Sequence, residues 1–146
     1  MARFFTQAEA ERLLAEVEPA IQAAIRLKAE YQSLERQLHN ARNRIAMSGG
    51  AQLDRGAFLL CKQRRDSIAV EFKTAVDRIQ GFGCILKDLD AGLIDFPTRF
   101  QGKEVYLCWQ LGERGIQFWH GVEEGFRGRK PIDRHFLDNH RGEQSS

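Results

Sequence analysis

Apolar positions in the first half of the chain recur at alternating steps of four and three: Leu13, Val17, Ala20, Ala24, Leu27, Tyr31, Leu34, Leu38, Ala41 and Ile45. That spacing keeps one face of a long helix apolar and is the seam of a coiled coil. Thr6 with Glu9 three residues on is a capping box, whose side-chain oxygens take up N–H groups that the first helical turn leaves without partners. A helix is therefore predicted from about Gln7. Pro19 lies inside the seam, where the missing N–H and the ring clash cost roughly 3 kcal/mol in a straight helix, so a kink or short break is expected near residues 18–19. Ser48, Gly49 and Gly50 supply a stop and a turn. A second stripe follows in Phe58, Cys61, Arg65, Ile68, Phe72, Ala75 and Ile79, polar only at Arg65, until Gly81 and Gly83 end it.

Residues 6–80 thus read as a long antiparallel helical hairpin. At about 1.5 Å per residue the first helix spans roughly 60 Å and the second roughly 40 Å, so the excess of the first must find another apolar surface. Beyond Gly81 the period drops to two: Val105, Leu107, Trp109 and Leu111 alternate with Glu104, Tyr106, Cys108 and Gln110. Gln101 and Gly102 separate this strand from Leu93 to Phe100, and Gly112 to Gly115 separate it from a strand ending at His120. Both linkers have hairpin-turn composition. With Phe82 to Leu86 as an edge, residues 82–121 are expected to form a three- or four-stranded antiparallel meander with one apolar face, covered by the overhanging helix. The fold class is α+β in a single domain, residues 1–146. A Gly- and Arg-rich flap at 122–137 and a disordered tail at 138–146 complete it.

At 146 residues the chain can bury one modest core. Its 42% hydrophobic and 29% charged fractions are those of a folded globular protein. No run of about 18 apolar residues occurs and no signal-peptide pattern opens the chain, so the expected location is cytoplasmic with no membrane partner. Three cysteines without CxxC spacing fit reduced thiols rather than a disulfide framework or a zinc knuckle. Net charge is +2, and Phe82 to Glu124 carries four Lys or Arg against seven Asp or Glu, a field that opposes phosphate. Nucleic acid is therefore not expected as a partner, although Tyr106, Trp109, Phe118 and Trp119 could offer a stacking platform.

Chemistry-bearing residues concentrate between Lys87 and Ile132. Asp88, Asp95, Glu113 and His120 are the candidate ligands for a divalent cation, which needs several hard donors converging at about 2.0–2.6 Å. With Arg129 added, the same residues are the candidate catalytic set. The run from Asp88 to Asp95 is not a calcium loop, because its fifth position lacks oxygen and its glycine falls one place early. A structural alternative makes Asp88 and Asp90 turn formers and pairs Asp95 and Glu113 with Lys87, Arg99, Arg114 or Arg129. Cys108 faces opposite Trp109 by alternation, which suggests the less buried face, yet a lone cysteine between Leu107 and Trp109 reads more simply as a core filler. Gly125 to Pro131 offers three cations and two glycines for an anion. Alternatively, Arg127 or Arg129 folds back onto Asp95, Glu113 or Glu123. No Walker lysine, GxGxxG, GxSxG or HExxH is present, which removes the common nucleotide-binding, hydrolase and zinc-protease classes, and no organic cofactor is indicated.

The order KDLDAGLIDFP, LCWQLGE, WH and GFRGRKPI, preceded by FTQAEAERLL, resembles the bacterial family catalogued as DUF2203, a domain of unknown function. The resemblance spans nearly the whole chain and implies no activity, cofactor or catalytic residue. From the residues themselves the leading expectation is a protein-interaction or oligomerisation module. A homodimer through the helices is its simplest form, and another helical protein is a further partner. The alternative is a small enzyme or an anion- or metal-binding protein with its site on the sheet.

Overall fold

The computed structural model describes residues 3–48 and 55–143. Helix α1 runs from Gln7 to Ser48 and helix α2 from Arg55 to Gly81. Gly49 and Gly50, the expected turn, lie outside the described residues. The capping box forms as written, with the Thr6 amide donating to Glu9 Oε1 at 2.9 Å and the Glu9 amide to Thr6 Oγ1 at 3.2 Å. Helix α1 continues through Pro19, which sits on an exposed position, so no break interrupts it there.

The sheet comprises β1 (Ile85–Asp88), β2 (Leu93–Phe100), β3 (Lys103–Gln110), β4 (Phe118–Gly121), β5 (Lys130–Pro131) and β6 (His140–Arg141). Strands β1 to β5 lie side by side in chain order, each antiparallel to the next, and β6 pairs with β2. The expected meander is β1–β4. Gln101 and Gly102 both have positive φ, 55° and 76°, the two-residue turn whose twist matches a hairpin. Pro97 stands inside β2 between the stretches paired with β1 and β6, so its missing N–H leaves no gap in a ladder. Its carbonyl instead accepts from the Phe5 amide at 2.7 Å.

Contacts group the chain into two compact units. One comprises residues 1–22 and 77–146. Its core holds Phe5, Ala10, Val17 and Ile21 from the N-terminal part of the chain and Ile94, Phe96, Leu107 and Trp109 from the sheet, all buried. Phe5 meets Phe96 edge-on, with ring centroids 5.4 Å apart, and Glu11 Oε1 accepts from the Ile116 amide at 3.0 Å. The other unit, residues 23–76, is the hairpin. The Cys61 thiol meets the Leu34 carbonyl and Arg64 pairs with Glu30, so that numbers rise on one helix as they fall on the other, as antiparallel helices require; Arg65 adds a pair with Glu35.

Two expectations need correction. Residues 138–143 are not a disordered tail: α3 (Arg134–Asn139) is capped by the Asp133 carboxylate on the Phe136 amide, and β6 follows it. Phe136 is buried and stacks on Trp119 and His140, while His140 Nε2 accepts the Gln7 amide at the start of α1. The local sequence is polar, but one aromatic and one imidazole find tertiary partners. Nor does burial alternate in the central strands. Ile94 to Thr98 and Val105 to Trp109 are buried throughout, so both faces of the sheet are covered there.

Candidate functional site

Strand register decides which polar residues meet. Asp95 stands directly opposite Cys108 on β3, and the neighbouring pair Tyr106 and His120 joins β3 to β4. Because side chains alternate along each strand, Asp95, Cys108, Tyr106 and His120 share one face. Asp95 is 1% exposed, Cys108 0% and His120 3%. His120 Nε2 lies 3.0 Å from Asp95 Oδ1, and its Nδ1 lies 2.8 Å from the Gly121 carbonyl. A carbonyl can only accept, so Nδ1 carries a proton. The carboxylate and then the Cys108 thiol favour a second proton on the ring, lifting the His120 pKa to about 10 against the opposing effect of burial. Asp95 Oδ2 is buried with no hydrogen-bond partner.

A second pair lies on the flap. Arg129 Nη2 donates to Glu113 Oε1 at 2.6 Å and to the Cys108 carbonyl at 3.4 Å, while its guanidinium lies over the rings of Phe118 and Phe126 at 4.1 and 4.5 Å. Glu113 also accepts the Gln110 amide at 2.7 Å, and its own carbonyl takes the Trp109 indole N–H at 3.3 Å. Arg129 therefore folds back and fastens the flap, as the structural alternative anticipated. Lys130 is likewise engaged, by Glu124 and by the face of Trp119.

Asp88 has neither partner. Its Oδ1 accepts the Ala91 amide at 3.2 Å and closes the β1–β2 turn, exposed to solvent. The five residues expected to act together thus divide into a turn former (Asp88), a buried pair (Asp95 and His120) and a flap latch (Glu113 and Arg129). For a catalytic set the requirement is hydrogen-bond reach around an accessible reacting atom. Cys108 is fully buried rather than on an open face, and both nitrogens of His120 are already engaged, so no nucleophile–base couple is presented.

The residue that pattern reading undervalued is Cys108. Its thiol, the Asp95 carboxylate and a ring nitrogen of His120 lie within 4.8 Å of one another. The signal was present in part: a two-residue turn at Gln101 and Gly102 pairs positions equidistant from it, and Asp95 and Cys108 are such a pair.

A family model described as an uncharacterized conserved protein, DUF2203, matches residues 3–132. The chain belongs to the DUF2203 family. Neither a curated protein nor a solved structure matches it. In this DUF2203 chain no helix among the described residues is long and apolar enough to cross a membrane.

Proposed function

We propose that this DUF2203 protein is an interaction module whose helical hairpin pairs with a second copy of the chain. The observation that carries the reading is how little the hairpin unit buries. Within residues 23–76 the buried apolar side chains among the described residues are Ala24, Leu34, Leu38 and Ile68. Leu27, Tyr31, Phe58 and Phe72, all on the two predicted seams, remain half-buried, while Leu59, Leu60 and Val70 are exposed. Two helices share only one contact stripe, so apolar seams wider than that stripe need further helices, and a four-helix bundle is the simplest closed arrangement. Lys28, Tyr31, Gln32, Ala69 and Phe72 line an apolar groove of about 320 Å³ that a side chain from a partner helix can enter.

Charge sets the orientation. Residues 23–76 carry ten Lys and Arg against five Asp and Glu, and seven of the ten lie between residues 36 and 65 beside a single acid. Two hairpins pairing head to tail keep those basic stretches apart, and salt then strengthens the dimer by screening what repulsion remains. Sedimentation equilibrium on the full chain tests this: a dimer that tightens with salt and becomes monomeric on Phe72→Glu is expected. A strict monomer at high micromolar concentration overturns the reading. Binding to a heterologous acidic protein that weakens with salt, without self-association, does so as well.

A further inference from the structure

The buried trio on the sheet goes beyond the hairpin and does not depend on it. Asp95, Cys108 and His120 come from three successive strands and bring a carboxylate, a thiol and an imidazole within 4.8 Å of one another, in a place that water scarcely reaches. If this were only a buried ion pair, the rest of the carboxylate would need a donor. Asp95 Oδ2 has none, although it is shielded from solvent. A buried acceptor without a partner is costly, the more so when charged. Oδ2 is thus a shielded electron-pair donor with its lone pairs open to an acceptor.

The imidazole gives an independent indication. Its Nδ1–H is held by the Gly121 carbonyl at 2.8 Å, which fixes the ring and points Nε2 at Asp95. A metal-bound histidine has this second contact: the nitrogen away from the ion donates to a backbone carbonyl or carboxylate, setting both tautomer and orientation.

We propose that Asp95, Cys108 and His120 of this chain bind a single divalent transition-metal ion of the zinc class, through one carboxylate oxygen, Sγ and Nε2, with a water that the ion carries in as the fourth donor. The donor set selects the ion. A thiolate beside an imidazole disfavours calcium and magnesium, which take oxygen, and favours zinc or its spectroscopic substitute cobalt. Bonds of about 2.0–2.3 Å in a tetrahedron place the donor atoms roughly 3.3–3.7 Å apart. The 3.0 Å between Nε2 and Oδ1 must open slightly, and donors as much as 4.8 Å apart must close by about 1 Å, which rotation about χ1 and χ2 can supply. On binding, the ion takes the place of the thiol proton and of any proton on Nε2, and both leave to solvent. Of the ligands expected from sequence, Asp95 and His120 stay, Cys108 enters, and Asp88 and Glu113 drop out because each already serves a turn or Arg129.

The test uses the untagged full chain, stripped with a chelator and titrated with cobalt(II) chloride, then with zinc in competition. One cobalt per chain is expected, with a thiolate-to-metal charge-transfer band in the near ultraviolet, d–d absorption of tetrahedral intensity, and bleaching of both by equimolar zinc. Cys108→Ser abolishes the charge-transfer band, and Asp95→Asn and His120→Gln each weaken cobalt binding at least tenfold. Cys61→Ser, on the hairpin, leaves the spectrum unchanged. The proposal is overturned if the folded wild-type chain gives no cobalt spectrum and retains no zinc at micromolar free metal. It is equally overturned if the band survives Cys108→Ser or disappears with Cys61→Ser. Because the wild-type titration is decisive alone, a variant that fails to fold leaves the proposal testable, and sedimentation of the same samples reports the hairpin separately.

Discussion

Replacing Arg129 with alanine tests how the flap is fastened. The guanidinium is 11% exposed and its carboxylate partner 24%, so the pair is shielded well enough for its hydrogen bonds to count. A charge-assisted bond of this kind contributes about 1.5–3 kcal/mol, and contact with the faces of Phe118 and Phe126 adds about 1 kcal/mol. The substitution also leaves Glu113 with a half-buried charge held only by the Gln110 amide. Arg129→Ala should therefore lower the unfolding free energy by about 3 kcal/mol in urea titrations followed by tryptophan fluorescence. Lysine keeps the charge but loses the planar fork, which here must reach Glu113 and the Cys108 carbonyl while lying between two rings, so Arg129→Lys should recover less than half of that loss. A double-mutant cycle with Glu113→Gln isolates the pair, with an expected coupling of about 1.5 kcal/mol or more. A loss below about 1 kcal/mol for Arg129→Ala, or a coupling near zero, would refute the latch.

Three further outcomes follow from the same geometry. His120 is favoured as the imidazolium in the folded chain, its pKa raised from 6.5 to about 10 chiefly by Asp95, so the stability it confers is complete below about pH 6.5 and is lost as pH rises toward 10. At about 1.4 kcal/mol per pH unit the metal-free wild-type chain should lose on the order of 3 kcal/mol between pH 6.5 and 9. A flat profile, or an equal slope in His120→Gln, would contradict the assignment. Thr6→Ala removes one half of the capping box and should cost about 1 kcal/mol in thermal or urea unfolding, with no change in the cobalt spectrum. Gly92→Ala should be more damaging than an exposed substitution, at about 2 kcal/mol, because Gly92 has φ +67° and an added methyl would lie 2.5 Å from Leu111 Cβ. Unchanged urea midpoints would count against that reading of the β1–β2 turn.

Local chemistry was legible without coordinates. The Thr6–Glu9 cap, the start of α1 at Gln7, the two helices and the β2–β3 turn at Gln101 and Gly102 all depend on residues a few positions apart, where backbone geometry alone fixes who meets whom. Even Asp88 as a turn former and Arg129 folding back onto Glu113 were among the readings that residue type suggested.

Tertiary structure decided the rest. Polar composition gave no hint that residues 138–143 would be held in place, by Phe136 just before them buried against Trp119 and by His140 accepting the first amide of α1, because those partners lie far away in sequence. Likewise alternation turned Cys108 away from the Trp109 face without saying whether that second face is covered; it is, and Cys108 is buried as the core-filler reading expects. The convergence of Asp95, Cys108 and His120 needs two strand registers at once. The first follows from a two-residue turn, but the second crosses a longer connection whose length does not set pairing, and only the folded sheet fixes it.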